Sequence, residues 1–246
     1  MASVVTWRDV LNRCCSMLED CNRQMTLVNG GERDKSSTGF EIAGYAMRFG
    51  QQTILAITDE IASNRPCQAG ILARTLFELG ARVRWASLRM DGWSRLLVYW
   101  ALEHRKTAQA ALDSGLFEFA RKDLEGVVAR YEESPLPKTE ACPGDMLSVL
   151  RQIDEDCCGD EHCERPGQEK VPYTGYRDLC RASHANMSLC GGGIPSGAIA
   201  RVVGTNVVYA TWHLVEAAYR LMGKEDVGQL MVPLELQKVA QSLNWE

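Results

Sequence analysis

The segment PCQAGILARTLFELGARVRWASLR, residues 66–89, decides the fold class, because its apolar residues recur every three or four positions. That spacing is typical of a helix that buries one face. Pro66 suits a first helical turn and disfavours helix in the residue before it, so it predicts where the helix begins. We expect a helix over about residues 67–89, with core side chains at Ile71, Leu72, Leu76, Leu79, Val83 and Ala86.

The rest of the chain repeats this pattern, and the alternation typical of strands is nearly absent. Glycine and proline runs separate the periodic stretches. The sequence therefore predicts an all-α fold: one multi-helix bundle over residues 1–246, with a cysteine-rich acidic loop insertion over residues 134–171. The other helices are expected over about residues 4–28, 40–62, 93–112, 116–131, 144–153, 173–190, 196–222 and 232–243. The first should bury Val4, Trp7, Leu11, Cys14, Leu18, Cys21 and Met25.

Composition and charge narrow the functional classes. No basic and apolar leader precedes Trp7, and no stretch approaches the roughly twenty apolar residues of a membrane span, so we expect a cytoplasmic chain without membrane contact. Its ten cysteines should then be mostly reduced, with several packed as small apolar residues. A formal charge of −5 argues against a broad basic face, so any contact with RNA has to be a local patch.

The motif that points to chemistry is YRDLCRASH, residues 176–184, on a predicted helix. Arg177 and His184 are seven residues apart, and two helical turns take about 7.2 residues, so both should project from one side. Metal-free RNA cleavage needs a group that moves a proton and a cation over the phosphate, which histidine and arginine provide. Asp178 is a candidate for orienting either partner. The alternative is a locally paired histidine beside a solvated arginine.

In this layout the segment resembles the HEPN superfamily, helical bundles of which many are RNases that carry an arginine, a polar residue and then a histidine. The resemblance implies that Arg177, Asp178 and His184 are the catalytic residues of a metal-independent endoribonuclease without a cofactor. It also implies a homodimer in which two motifs form one composite site. Many such proteins are toxins or antiphage effectors, which implies RNA as substrate and an antitoxin or other protein as partner.

A second feature lies within the opening segment. Arg74, Glu78 and Arg82 are spaced four apart and so should follow one another along one helix face, with Trp85 continuing that side. This segment resembles one from an uncharacterised family of bacterial helical proteins, which also has a later helix with a tyrosine, a serine and a histidine placed as Tyr176, Ser183 and His184 are here. We expect the charged row to be solvated. If it instead faced the interior, Glu78 would orient His184 while Arg74 neutralised the carboxylate.

The cluster Cys157, Cys158, His162 and Cys163 is a candidate metal site, because thiolates and imidazole are zinc ligands and Cys142 would add a distant fourth. Its spacing does not match a known finger or ribbon. The competing interpretation is an acidic loop prone to oxidation.

We therefore expect an Arg–His endoribonuclease of the toxin or antiphage type. The alternative is a non-catalytic helical binding module, and a Cys/His metal-binding protein is the third hypothesis.

Overall fold

The computed structural model describes residues 6–31, 37–115, 120–133, 141–157, 171–183 and 196–224. Across these ranges the chain forms eight helices and no strand, so the predicted all-α fold is confirmed. Within the same ranges, no helix is both long and apolar enough to cross a membrane. In chain order the helices are Trp7–Gly31 (α1), Ser37–Ala62 (α2), Pro66–Ser87 (α3), Gly92–Ser114 (α4), Arg121–Glu133 (α5), Met146–Cys157 (α6), Val171–Ser183 (α7) and Ser196–Leu221 (α8).

Two helix ends differ from their predicted positions in an informative way. α1 continues through Asn29 and Gly30 to Gly31, where the sequence predicted a stop before this run. α6 extends beyond Ile153 to Cys157, into the predicted acidic loop. Asp156 in the extra turn forms an ion pair with Arg89, two residues past the end of α3. The helix predicted over residues 232–243 lies outside the described residues.

α3 lies at the centre of the bundle. Every residue from Gly80 to Ala86 is buried, so this stretch of the helix is enclosed on all sides. Its main neighbour is α8, and α2, α4, α6 and α7 also pack against it. The closest approach is at Gly80, where an added Cβ would lie 2.8 Å from the carbonyl oxygen of Ala210 in α8. The absence of a side chain at Gly80 is what allows the two backbones to come so close.

The predicted core is confirmed for most positions in α1 and α3. Leu11, Cys14, Leu18, Cys21 and Met25 of α1 are all buried, as are Leu76, Val83 and Ala86 of α3. The prediction that Ile71 is a core residue is wrong, because 43 % of its surface is exposed. At that level α3 faces the core with the small residues Ala69, Gly70 and Ala73, which turn Ile71 outward.

Arg82 contradicts the prediction of a solvated charged row. Its side chain is buried, and its guanidinium lies 4.0 Å from the centroid of the Tyr99 ring. Nη1 donates to Sγ of Cys142 at 3.4 Å and to the carbonyl oxygen of Pro143, and Nη2 donates to the carbonyl oxygen of Gly144 at 2.8 Å. These acceptors satisfy the buried guanidinium and fix residues 142–144 against α3.

Part of the predicted loop insertion belongs to the core. α6 buries Val149, Leu150 and Ile153, and Nε1 of Trp85 donates to Oε1 of Gln152 at 2.7 Å. Residues 141–157 therefore pack against α3 instead of forming a peripheral loop. Residues 134–140 and 158–170 of the predicted insertion lie outside the described ranges.

Several cysteines pack as small apolar residues, as the sequence predicts. Cys14, Cys21 and Cys142 are buried, and all six cysteines whose side chains the structure describes are free thiols. Burial raises the pKa of Cys14 to about 12 and that of Cys21 to about 11. Both therefore stay protonated and unreactive near neutral pH.

Candidate functional site

A carboxylate joins α3 to α7. Oε1 of Glu78 accepts a hydrogen bond from Nε of Arg74 at 2.8 Å and a second from the hydroxyl of Tyr176 at 2.9 Å. Arg74 and Glu78 are one helical turn apart, so their pairing is local, whereas Tyr176 comes from a helix 98 residues later. The side chains of Arg74 and Glu78 keep 27 % and 33 % of their surface, so the cluster lies at the edge of the bundle.

Two further aromatic rings pack against this cluster. The Tyr176 ring stacks on Phe77 and on Tyr173, with centroid distances of 5.6 Å and 6.0 Å. The guanidinium of Arg74 lies 5.7 Å from the Tyr176 centroid. Burial and the negative charge of Glu78 raise the pKa of the Tyr176 hydroxyl, so it remains a protonated donor. Burial lowers the pKa of Arg74, but the hydrogen bond and charge of Glu78 outweigh it and leave that pKa raised.

Arg177 lies on the exposed side of α7. Its side chain is exposed, and its guanidinium lies 6.0 Å from the centroid of the Tyr173 ring. A hydrogen bond with Tyr173 raises the pKa of Arg177, so the tyrosine positions the cation without neutralising it. The structure thus holds Arg74, Glu78 and Tyr176 in contact, and places Arg177 one residue further along α7 with its charge toward solvent.

The other predicted catalytic residues are only partly within the described chain. Asp178 and Ser183 belong to α7, but their side chains lie outside the described set. His184 follows Ser183, the last residue of α7, and is not among the described residues. The predicted contact between Glu78 and His184 therefore stays a prediction. What the structure adds is that Tyr176, eight residues before His184, bonds to the same Glu78 oxygen that holds Arg74.

The predicted metal ligands fall mainly in the segment that is not described. Cys158, His162 and Cys163 lie there, and Cys157 is the last residue of α6. Cys142, the suggested fourth ligand, is buried with its sulfur against the Arg82 guanidinium. Among the side chains that the structure does describe, no three His, Cys, Asp or Glu residues are grouped as metal ligands.

Sequence reasoning missed a buried ionic cluster between α3 and α8. Nη2 of Arg84 lies 2.9 Å and 3.0 Å from the two carboxylate oxygens of Glu216, and both side chains are 4 % exposed. Nη1 of Arg84 lies 3.3 Å from Nδ1 of His213, and the guanidinium is 4.6 Å from the Trp212 ring centroid. Arg220 adds a second cation, with Nη2 3.4 Å from Oε1 of Glu216.

The hydrogen-bond partner of His213 fixes the tautomer of its imidazole. A guanidinium can only donate, so Nδ1 accepts and the ring proton of the neutral imidazole is on Nε2. Complete burial and the adjacent Arg84 charge hold the pKa of His213 well below 6.5. Arg84, His213 and Glu216 are buried, and the cluster is only slightly exposed at Arg220, so we assign it a structural role. Its sequence signal was the pair of arginines two residues apart within an otherwise apolar helix half, with a histidine and a glutamate three apart on α8.

The two polar clusters differ in access. The cluster around Glu78 reaches the surface beside an exposed cation and is the candidate functional site, whereas the central Arg84–Glu216 pair of the other cluster is buried. Comparisons of this chain with protein-family models, with curated proteins and with solved structures found no match.

Proposed function

We propose that this chain is a metal-independent endoribonuclease of the toxin or antiphage-defence type, acting in the cytoplasm as a homodimer. The observation that carries the proposal is that Arg74 and Tyr176 both donate to one carboxylate oxygen of Glu78 at the α3–α7 contact. α7 also carries Arg177, and His184 is the residue after Ser183 in the chain, so the proposed catalytic pair is close in sequence to the tyrosine that Glu78 holds.

In the proposed reaction Arg177 binds the scissile phosphate and His184 transfers protons. His184 removes the proton of the 2′-hydroxyl, whose oxygen attacks phosphorus while the bond to the 5′-oxygen breaks. The leaving 5′-oxygen takes a proton from the protonated His184 of the second copy of the chain, so the products are a 2′,3′-cyclic phosphate and a 5′-hydroxyl. The Arg177 guanidinium offsets the charge that builds on the phosphate, and Asp178 orients the pair.

Glu78 and Tyr176 act as positioning residues in this proposal. Their hydrogen bond fixes the rotation of α7 about its axis, because Tyr176 can reach Glu78 only when that face meets α3. Arg74 is only partly exposed and is held by Glu78, whereas Arg177 is exposed, so we assign the phosphate to Arg177. One local cation also agrees with the overall charge of −5, which does not suit a broad RNA-binding face.

Dimerisation belongs to the proposal for a chemical reason. Each chain contributes one Arg177 and one His184, and in-line cleavage uses both a base and an acid, so two copies would supply the second histidine. The proposed partners are accordingly RNA, a second copy of the chain and an antitoxin-like protein.

The proposal is tested by incubating the purified protein with single-stranded RNA in excess EDTA. Wild-type cleavage should persist, and Arg177→Ala or His184→Ala should each slow it by about a hundredfold or more, since general acid–base groups contribute on that scale. His104→Ala, at an exposed position of α4, is the matched control and should cleave at the wild-type rate. Loss of cleavage in EDTA would refute a metal-independent mechanism, and an active His184→Ala would refute the catalytic role of His184.

The alternative is a non-catalytic helical binding module. The observation that favours it is that Arg74 and Tyr176 are already hydrogen-bonded to Glu78, an arrangement that also serves to join two helices. In that case RNA stays intact with the wild-type protein. A zinc content of about one per chain by elemental analysis would instead promote the third hypothesis, a metal site at Cys157, Cys158, His162 and Cys163.

A further inference from the structure

A groove of about 420 Å³ lies between α1 and α2, with no lining residue from α3 or α7. Its α2 side includes Phe40, Gly44 and Arg48, which are four residues apart and so lie in one row along the helix. Gly44 leaves a gap in this row, because it places no side chain between the ring and the guanidinium. The volume falls within the range of about 300–1,000 Å³ that small-molecule sites occupy.

Two polar side chains approach the gap at Gly44 from different helices. A Cβ added at Gly44 would lie 3.5 Å from Oδ1 of Asn22 in α1 and 3.6 Å from Nη1 of Arg48. An amide has both a donor and an acceptor end, and a guanidinium donates in a planar fork that fits a carboxylate. These two side chains can therefore donate together to one carboxylate placed above the gap.

The groove also carries one charge of each sign. Glu41 lies three residues before Gly44 and Arg48 lies four residues after it, on the same side of α2. Both side chains are exposed, and among the described residues neither has a hydrogen-bond or ion-pair partner. Seven residues of helix separate their Cα atoms by about 10 Å. The lining side chains thus have no net charge, but their negative and positive groups are apart and unpaired.

This arrangement favours a ligand that carries both charges. An anion such as a nucleotide would be attracted to Arg48 but repelled by Glu41, and a polycation would meet the reverse. An extended peptide covers about 3.3–3.6 Å per residue, so three residues span about 10 Å, which matches the separation of the two charged residues. We propose that the α1–α2 groove binds a zwitterionic tripeptide, with its terminal ammonium at Glu41 and its terminal carboxylate at Arg48 and Asn22. This site is independent of RNA cleavage.

A titration of the full-length, ¹⁵N-labelled protein with tri-alanine, followed by amide chemical shifts, tests the proposal. The amide of Gly44 should shift and reach saturation. N-acetyl-tri-alanine and tri-alanine amide each lack one terminal charge, so each should bind about tenfold more weakly or worse. Single alanine should also bind more weakly, because it is too short to reach both charges. No saturable shift at up to about 10 mM tri-alanine, or equal affinity for the blocked peptides, would overturn the proposal.

Two substitutions assign the peptide termini to their partners. Glu41→Gln should lower the affinity for tri-alanine by about tenfold and abolish the effect of N-acetylation, while the effect of amidation remains. Arg48→Gln should instead abolish the effect of amidation alone. Asp59→Asn is the control, because Asp59 is exposed on α2 about 16 Å beyond Arg48, and it should bind as the wild type does.

Circular dichroism of each variant shows that the bundle is folded. Equal weakening by Asp59→Asn would contradict the proposed site, because a residue outside the groove would then matter as much as its lining. An N-acetylation effect that persists in Glu41→Gln, or an amidation effect that persists in Arg48→Gln, would contradict the proposed orientation of the peptide.

Discussion

The hydroxyl of Tyr176 in α7 donates to Oε1 of Glu78 in α3 over 2.9 Å, although 98 residues separate them along the chain. The same oxygen accepts from Arg74, so one carboxylate fixes both a cation on its own helix and the rotation of a second helix. Because Arg177 follows Tyr176 directly in α7, this contact fixes the side of the helix from which Arg177 projects.

Removing the Tyr176 hydroxyl should therefore affect both stability and orientation. We expect Tyr176→Phe to lower the free energy of unfolding by about 1 kcal/mol, the usual net value of one hydrogen bond, and Glu78→Ala to lower it by more, because that change also removes the acceptor of Arg74. In the double variant the two losses should add to less than their sum, since both changes remove the bond between Tyr176 and Glu78. Urea unfolding measures this, with Tyr45→Phe as the control because that ring is largely exposed. Fully additive losses would mean that the two side chains do not interact.

The buried pair of Arg84 and Glu216 should be far more costly to break. Arg84→Met leaves the Glu216 carboxylate buried beside only Arg220, and we expect a loss of about 3–5 kcal/mol in the free energy of unfolding. Arg23→Met removes an exposed pair with Asp20 and should cost at most about 0.5 kcal/mol. Urea midpoints of both variants provide the comparison. Similar losses for both would contradict the burial of the α3–α8 cluster.

His213 should make stability depend on pH. Its pKa in the folded protein is held below the value of 6.5 by burial and by Arg84, so the unfolded chain binds a proton first as pH falls. Stability should therefore be lost below pH 6.5, by up to about 1.4 kcal/mol per pH unit from this group. Unfolding between that pH and about pH 5.5, above the range where most carboxylates titrate, measures the slope.

Two variants assign that slope to His213. His213→Gln should flatten it, because the group that the unfolded chain protonates is gone. His104→Gln, at an exposed position, should retain it. If His213→Gln keeps the wild-type slope, the imidazole is not the group that resists protonation in the core.

The contact of α3 with α8 at Gly80 gives a prediction about packing. Gly80→Ala places a Cβ 2.8 Å from the Ala210 carbonyl oxygen, so the helices must separate, and we expect a loss of about 1–3 kcal/mol. Gly126→Ala in α5 meets nothing within 4 Å and should stabilise the protein by up to about 1 kcal/mol. Thermal unfolding of both variants provides the measurement. A neutral Gly80→Ala would show that α3 and α8 are further apart than described.

The fold was predictable from the sequence because helices depend on local spacing. Leu76, Val83 and Ala86 lie on a face that any reader of the periodicity would choose, and proline and glycine mark the ends. The prediction that Ile71 is buried was wrong, because the side that α3 turns inward at that level consists of Ala69, Gly70 and Ala73. Small residues carry little weight in a hydrophobic pattern, yet they permit the closest packing.

The sequence predicted which residues belong to the candidate site, but it did not predict the contacts between them. Arg74, Glu78 and Tyr176 were identified from residue types and from a resemblance, but the bond between Tyr176 and Glu78 depends on how α7 packs on α3. Arg84 and Glu216 could not be paired from sequence, since a charge within an apolar stretch does not reveal which distant residue compensates it. Local sequence patterns therefore identified candidate residues, whereas the packing of the helices determined which side chains they contact.

The most direct test of the proposed endoribonuclease is the chemistry of the RNA ends formed in EDTA. The account predicts that the wild-type protein leaves 2′,3′-cyclic phosphate and 5′-hydroxyl ends on single-stranded RNA, and that His184→Ala leaves the RNA intact over the same time. RNA left intact by the wild-type protein, ends carrying a 5′-phosphate, or equal cleavage by His184→Ala would contradict it.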